Sequence, residues 1–374
     1  AAVLGTFENK RTGDTPFHRY VLGLSGVSGG SLGASVFAAL SAGRTADTRA
    51  TGNAVLEQDF LGPTLVTMMF PDLLQRFLPA PLFDDRAMTL ERSFEKSWQL
   101  AAGNNRFAQP LIDLYDGGSA PWLLLNSTLV ETGERMVYAP VRLTDTLSAV
   151  DGVTMMGSQV PLSTAVHNSA RFPYVSPAGV VKRRDNVPGD ERRHWTRLVD
   201  GGYVDNAGAQ TALELLRLVQ RRRDSLFEKY GVSLEPFVIQ ITNSEASPIP
   251  VCRRARTDAE ALGEANQCFR RRFLPETLSP LLTMLATRPA NTLAAMERLE
   301  LAAGPGRYAR FALRDNGVAH PLGWMLAAPS RRDMLHQIEG YPAGLASPER
   351  ADVREEVTQV LSFLNEMLAS GETP

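Results

Sequence analysis

Cysteine is nearly missing from this chain, with two among 374 residues. Cys252 and Cys268 lie outside any His-rich or Cys-x-x-Cys context, which argues against a zinc site. A disulfide closing a polar loop and a pair of free thiols both remain open, so the redox compartment is undefined. Long apolar runs are missing too. A membrane-spanning helix needs about 20 predominantly apolar residues. The closest approach, Leu65 to Phe83, is interrupted by Pro71, Pro79, Pro81, Asp72 and Arg76. No secretory signal opens the sequence. An excess of one charge is also lacking. The net charge of −2 excludes a general nucleic-acid binder, because phosphate affinity requires many Lys and Arg contacts. The basic clusters Arg221-Arg222-Arg223 and Arg270-Arg271-Arg272 read as solvated surface, with contact to anionic lipid headgroups as the alternative.

What is present is the composition of a globular protein, 44% apolar and 21% charged, large enough to bury a core without metals or disulfides. Strand candidates are His18 to Leu24, Pro121 to Asn126 with a hairpin partner at Arg135 to Val141, Trp195 to Val199, Pro236 to Thr242 and Arg307 to Leu313. Helical patterns cover Ala1 to Phe7, Leu32 to Leu40, Leu90 to Leu100, Leu162 to Asn168 and Ala209 to Arg222. Val181 to His194 reads as an exposed loop. Alternating strands and helices predict an α/β layered sheet. No internal repeat or Gly/Ser-rich linker marks a second domain. One domain over 1–374 is expected, with the motifs in about 1–245 and a helical part, about 246–374, packed on it.

Gly26-Val27-Ser28-Gly29-Gly30 fits G-x-S-x-G, with a strand before it and a helix after it, the context of a nucleophile elbow. A serine on a sharp turn takes strained backbone angles, so its neighbours must be small. The helix that follows aims its N-terminal N–H groups at the site, where they favour developing negative charge. A phosphate cradle is the competing reading of this glycine cluster. A Walker loop requires Gly-Lys-Ser or Gly-Lys-Thr, however, and neither that nor G-x-G-x-x-G occurs here. The second motif is Leu198-Val199-Asp200-Gly201-Gly202-Tyr203: an aspartate at the end of a strand, where α/β sheets place functional groups. An Asp-Gly turn adopted for conformational reasons is the alternative.

Together these motifs resemble the patatin-like phospholipases, whose mark is G-x-S-x-G followed much later by Asp-Gly-Gly or Asp-Gly-Ala. Ser169 to Gly179 (SARFPYVSPAG) is similar to the Ser/Ala-aromatic-Pro stretch that precedes the aspartate in bacterial members. The resemblance covers roughly residues 1–245. It implies a three-layer α/β/α fold with a mostly parallel central sheet and a helical insertion. It also implies a Ser-Asp dyad, with Ser28 as nucleophile and Asp200 as base. Gly26, Gly29 and Gly30 would form the elbow and oxyanion donors, and Gly201 and Gly202 the aspartate loop. The implied substrate is a lipid or another carboxylic ester, and neither metal nor organic cofactor is implied. The family's Gly-rich oxyanion loop precedes its first helix. Ala1 to Phe7 reads as that helix, so the loop is expected upstream of Ala1, and the protein is expected to be peripheral to a membrane or part of a longer membrane-associated chain.

Two other readings stay in play. Ser28, Asp200 and His320 could form the triad of an ordinary α/β-hydrolase, or the chain could be a non-catalytic or nucleotide-binding α/β module. Of the other histidines, His167 is expected to be buried and hydrogen-bonded. The proline-broken segment Leu65 to Phe83 is a candidate lipid-facing cap, with Met68, Met69 and Phe70 suited to an acyl chain.

Overall fold

The computed structural model describes residues 1–10, 15–75, 77–79, 82–118, 120–142, 147–172, 175–182, 195–231, 233–243, 275–314, 325, 327–342 and 353–369. In chain order these give α1 (Ala2–Lys10), β1 (Gly23–Val27), α2 (Gly29–Ala42), α3 (Thr48–Leu56), α4 (Leu61–Met69), α5 (Pro71–Gln75), α6 (Arg86–Ala102), β2 (Trp122–Leu129), β3 (Arg135–Tyr138), β4 (Val150–Asp151), α7 (Gly152–Met156) and α8 (Leu162–Ser169). Then follow β5 (Gly179–Lys182), β6 (Trp195–Asp200), α9 (Ala209–Tyr230), β7 (Val238–Thr242), α10 (Pro275–Ala303), β8 (Tyr308–Ala312), α11 (Ala328–Glu339) and α12 (Arg354–Ala369). The protein is mixed α/β.

The apolar run of β2 makes it the centre of a six-stranded sheet, because a strand buried on both faces needs no alternation. Leu123 and Leu125 pack among Val36, Leu40, Leu90, Phe94 and Val166, from α2, α6 and α8. Leu124 points the other way, against Val137, Leu147 and Leu215. Helix α2 is rich in Gly, Ala and Ser and is buried almost throughout. Such small side chains let its backbone lie close to the sheet. The sheet is mixed, so the expectation of a mostly parallel sheet is met only in part. β1–β2 and β3–β4 are parallel, whereas β2–β3, β2–β6 and β5–β6 are antiparallel.

One feature of the register places the site. Along one edge of β2 runs β3. Along the other edge, β1 pairs with Trp122 to Asn126 and β6 with Ser127 to Leu129. β1 is parallel to β2 and β6 antiparallel, so the two strands run toward each other and stop at neighbouring rungs, Val27 opposite Asn126 and Asp200 opposite Ser127. Two motifs far apart in the chain thus end at one point.

Several expectations shift. His18 to Tyr20 is part of a 3₁₀ turn rather than a strand, and β1 begins only at Gly23. The His18 ring bonds Glu8 at 2.8 Å, which favours the turn over a strand pairing. Residues 236–242 do not join the main sheet. β7 pairs in parallel with β8 alone, and Ile241 is 45% exposed. That small sheet packs through Phe311 and Ala309 on Val3, Leu4, Phe7, Phe37 and residues of α12, which ties the C-terminal part to α1 and α2. Strand β5 occupies Gly179–Lys182, where an exposed loop was expected. Cys252, Cys268, Arg270, Arg271, Arg272, His194 and His320 lie outside the described residues, as do Arg76, Pro81, Pro173 and Tyr174.

Candidate active site

Ser28 joins β1 to α2 with φ 53° and ψ −128°, one of two non-glycine residues at positive φ among those described. Such a backbone costs on the order of 1–3 kcal/mol and persists only where surrounding bonds enforce it. The Ser28 N–H donates to the Ser169 carbonyl at 3.1 Å. The Ser28 carbonyl accepts from the N–H groups of Ser31 and Leu32, at 3.0 and 3.3 Å. The Ser169 hydroxyl, fully buried, bonds Ser31 Oγ at 2.7 Å and donates to the Asn126 carbonyl. A Cβ on Gly26 would stand 2.7 Å from Ser31 Cα. Only glycine permits a turn this close.

Asn126 braces the elbow from behind. Its Nδ2 donates to the Gly26 carbonyl at 2.8 Å and to Ser25 Oγ at 3.1 Å, while its Oδ1 accepts from Thr211. The buried Arg135 continues this network, donating to Thr211 and gripping both Glu214 oxygens at 2.7 and 2.8 Å. Strands β1, β2 and β3 and helix α9 are thereby locked around one amide.

Asp200 is 3% exposed. Its Oδ1 accepts from the Gly202 N–H at 2.8 Å. Burial raises its pKa above the ordinary 3.8, opposed by the Gly202 bond, then by hydrogen bonding with the Ser28 side chain, then by the charge of Arg288. Ser28 and Asp200, expected together, are therefore brought together, and the Ser28 contact is a weaker influence on the carboxylate than the backbone N–H. Gly201 is dictated by space: a Cβ there would stand 2.2 Å from the Asn126 carbonyl oxygen. Gly29 and Gly30 are exposed, with nothing near where a side chain would be. As the first two residues of α2 they have no intrahelical acceptor for their N–H groups. Ser28, half-buried, is within reach of a substrate.

The three described histidines bond elsewhere. His18 meets Glu8 and His336 packs on Tyr341. His167 is fully buried, with Nδ1 2.8 Å from Glu91 and Nε2 3.0 Å from Ser176 Oγ. Burial depresses the His167 pKa despite the carboxylate. Glu91, bonded to both His167 and Thr164, has its own pKa lowered by those bonds in spite of its burial. The group ties α8 to α6. Among the described residues no cluster of three or more His, Cys, Asp or Glu is placed to hold a metal.

Helices α6 and α8 are antiparallel, with Glu95 at Ser163 and Glu91 at His167. Arg86, at the start of α6, reaches Val175 O at 2.7 Å, just beyond the end of α8. The start of α6 is therefore at the Ser28 end of the helix layer, and α5 comes with it through the 2.6 Å Arg86–Asp72 ion pair. Here the amphipathic pattern is inverted. Thr64, Thr67 and Asp72 face inward, whereas Val66, Met69, Phe70, Leu73, Leu74 and Phe77 face outward at helical spacing, Phe77 81% exposed. Leu82 and Phe83 extend this surface. Among the described residues of 61–79 the only charged side chain is the inward Asp72. Met68 is half-buried. A cavity of about 420 Å³ lined by Ala42, Arg106, Gln109 and Asp113 lies at the far end of α2, roughly 20 Å from Ser28 at 1.5 Å per helical residue.

Three residues of the site escaped the motifs: Asn126, Ser169 and Arg288. Asn126 carried a signal, since a polar residue in an apolar buried strand must find partners. Ser169 lies at the start of the SARFPYVSPAG stretch, whose role the spacing alone did not give. Arg288 is far along the chain and had none. Among the described residues, no helix is long and apolar enough to cross a membrane. No protein-family model matches the chain, and comparison with curated proteins finds no match.

Proposed function

We propose that this chain is a serine carboxylic-ester hydrolase of lipid-like substrates, using a Ser28–Asp200 dyad on a patatin-like three-layer α/β/α fold. The observation that carries the reading is the strained Ser28 held at the head-on meeting of two strand ends, beside a buried carboxylate with a raised pKa. Strain of this kind has no packing purpose here, because Ser28 fills no core position. It presents a hydroxyl.

As Ser28 Oγ attacks the ester carbonyl, its proton passes to Asp200. The Gly29 and Gly30 N–H groups at the helix N-terminus face the developing oxyanion. Collapse breaks the acyl C–O bond, and the departing alcohol takes the proton from Asp200. Water then gives a proton to Asp200 while attacking the acyl-serine, and Ser28 regains that proton as the carboxylic acid leaves. No external oxidant or cofactor enters the balance.

The inverted apolar face of α4 and α5 supports a lipid surface as the source of substrate. An outward helix face with large apolar and no charged side chains is at home in an acyl layer rather than in water. Labelling with a fluorophosphonate tests the core of the reading: the wild-type chain should be modified at Ser28 and Ser28→Ala should not. Equal labelling of both would overturn it.

A further inference from the structure

Arg288 brings a positive charge to the Asp200 loop from α10, a helix outside the motif-bearing part of the chain. Its guanidinium lies 5.6 Å over the Tyr203 ring and donates to Asn206 Oδ1 at 3.1 Å. Asn206 is itself fixed, its N–H donating to Thr292 on the same face of α10 as Arg288, at 3.0 Å. A Cβ on Gly202 would stand 2.6 Å from Arg288 Nη2 and 3.0 Å from Asp200 Oδ1. The cation and the carboxylate therefore flank the same glycine. They do not form an ion pair: among the described residues no carboxylate lies within 4.0 Å of Arg288, which remains half-buried rather than sealed.

An arginine held by one amide and one aromatic face still has most of its five donors free. Left without a carboxylate beside a carbonyl-attacking serine, it matches a planar or tetrahedral oxyanion, which guanidinium donors engage in pairs. The geometry points to an anion subsite at Arg288, with Asn206 and Tyr203 as its frame, that receives the phosphate of an acyl ester whose carbonyl is at Ser28. The inference rests on the ester-hydrolase reading for its substrate, but the subsite can be assayed without turnover. It assigns phosphate-bearing acyl esters as the substrate class, ahead of neutral glycerides.

The first arm measures binding by calorimetry, using a short alkyl phosphonate below its micelle concentration. Wild type should bind it at least about tenfold more tightly than Arg288→Gln, as loss of a charge-assisted hydrogen bond implies, and Arg288→Lys should fall between them. The second arm compares a lysophosphatidylcholine with the monoacylglycerol of the same acyl chain. The kcat/KM ratio should favour the phosphate-bearing ester and fall about tenfold or more in Arg288→Gln. Phosphonate binding that is equal in wild type and Arg288→Gln would overturn the subsite, as would a ratio left unchanged because both esters slow in parallel. Inorganic phosphate bound as tightly as the phosphonate would overturn its assignment to lipid esters. Arg288-dependent phosphonate binding in a chain that cleaves no ester would leave the subsite standing and defeat the hydrolase reading instead.

Discussion

Val27 and Asp200 sit opposite adjacent residues of one strand, Asn126 and Ser127, on the same edge of β2. Two strands that approach along one edge must stop where they meet, and both chains then turn out of the sheet. The serine after Val27 and the carboxylate of Asp200 are therefore neighbours for topological reasons, before any side-chain preference acts. The predictions below follow from that junction and from the groups that brace it.

Ser28→Gly should separate strain from chemistry. Glycine tolerates φ 53° without the Cβ clash, so the variant sheds part of a cost of about 1–3 kcal/mol against about 0.5–1 kcal/mol of added chain entropy. Ester hydrolysis should vanish while the thermal unfolding midpoint holds or rises. A midpoint lowered by several degrees would show that the serine side chain stabilises the turn, contrary to the strain argument.

Asp200→Asn should pair the same two opposed effects. Removing the base should cut kcat/KM by about 10²–10⁴. Folding raises the Asp200 pKa, so the native state disfavours its ionised form. Its favourable contribution to stability is full below the ordinary carboxylate pKa and is lost as pH rises through the native value. At neutral pH the asparagine variant should therefore unfold at a higher temperature than wild type. In the wild-type enzyme the acid limb of kcat/KM should lie above pH 3.8. A full rate that persists well below that pH would remove Asp200 from the role of base.

Asn126→Ala tests the brace behind the elbow. It strands the Gly26 carbonyl, Ser25 Oγ and Thr211 in a buried setting, where each unpaired polar group costs about 1–3 kcal/mol. A loss of at least about 2 kcal/mol in urea denaturation is expected, together with weaker fluorophosphonate labelling. A near-neutral effect would mean that the network is incidental.

The positions of these residues explain how much could be read beforehand. Ser28 and Asp200 were legible because each lies in a short motif whose glycines answer to space: Gly26 against Ser31 and Gly201 against Asn126. Strand β2 and helices α8 and α9 followed from local periodicity. The meeting of β1 and β6 was not legible, since register depends on long-range pairing that no window of sequence contains. The same holds for Arg288, whose place depends on how α10 docks on α9, and for β7, where an apolar run looked like a core strand and instead forms half of a small separate sheet. The turn at Phe17–Tyr20 was mistaken for a strand because its bond from His18 to Glu8 replaces the expected pairing.

The stability of the α6–α8 brace should depend on pH in a direction set by His167. Its pKa is lowered by folding, so the unfolded chain binds a proton more readily than the native one. Stability from this site is full above the ordinary histidine pKa of about 6.5 and declines as pH falls from there toward the native value. Glu91, also lowered, adds a second loss below about pH 4.5. Urea midpoints compared at pH 7.5 and 5.5 should fall in wild type and fall less in His167→Gln. An identical decline in both would place the titration elsewhere.

Phe77→Asp probes the inverted helix face. Phe77 is 81% exposed, so the substitution removes little packing, and the unfolding midpoint should move by less than about 0.5 kcal/mol equivalent. Transfer of a phenyl ring out of an acyl layer, with a charge put in its place, costs several times that amount. Cosedimentation with neutral phosphatidylcholine vesicles should therefore weaken by about tenfold or more. Because the described face carries no cation, raising the salt concentration should not reproduce the defect, and adding anionic lipid should not rescue it. Vesicle binding that is abolished by salt would instead assign membrane contact to the basic surface around Arg221 to Arg223 and leave α4 and α5 without a lipid-facing role.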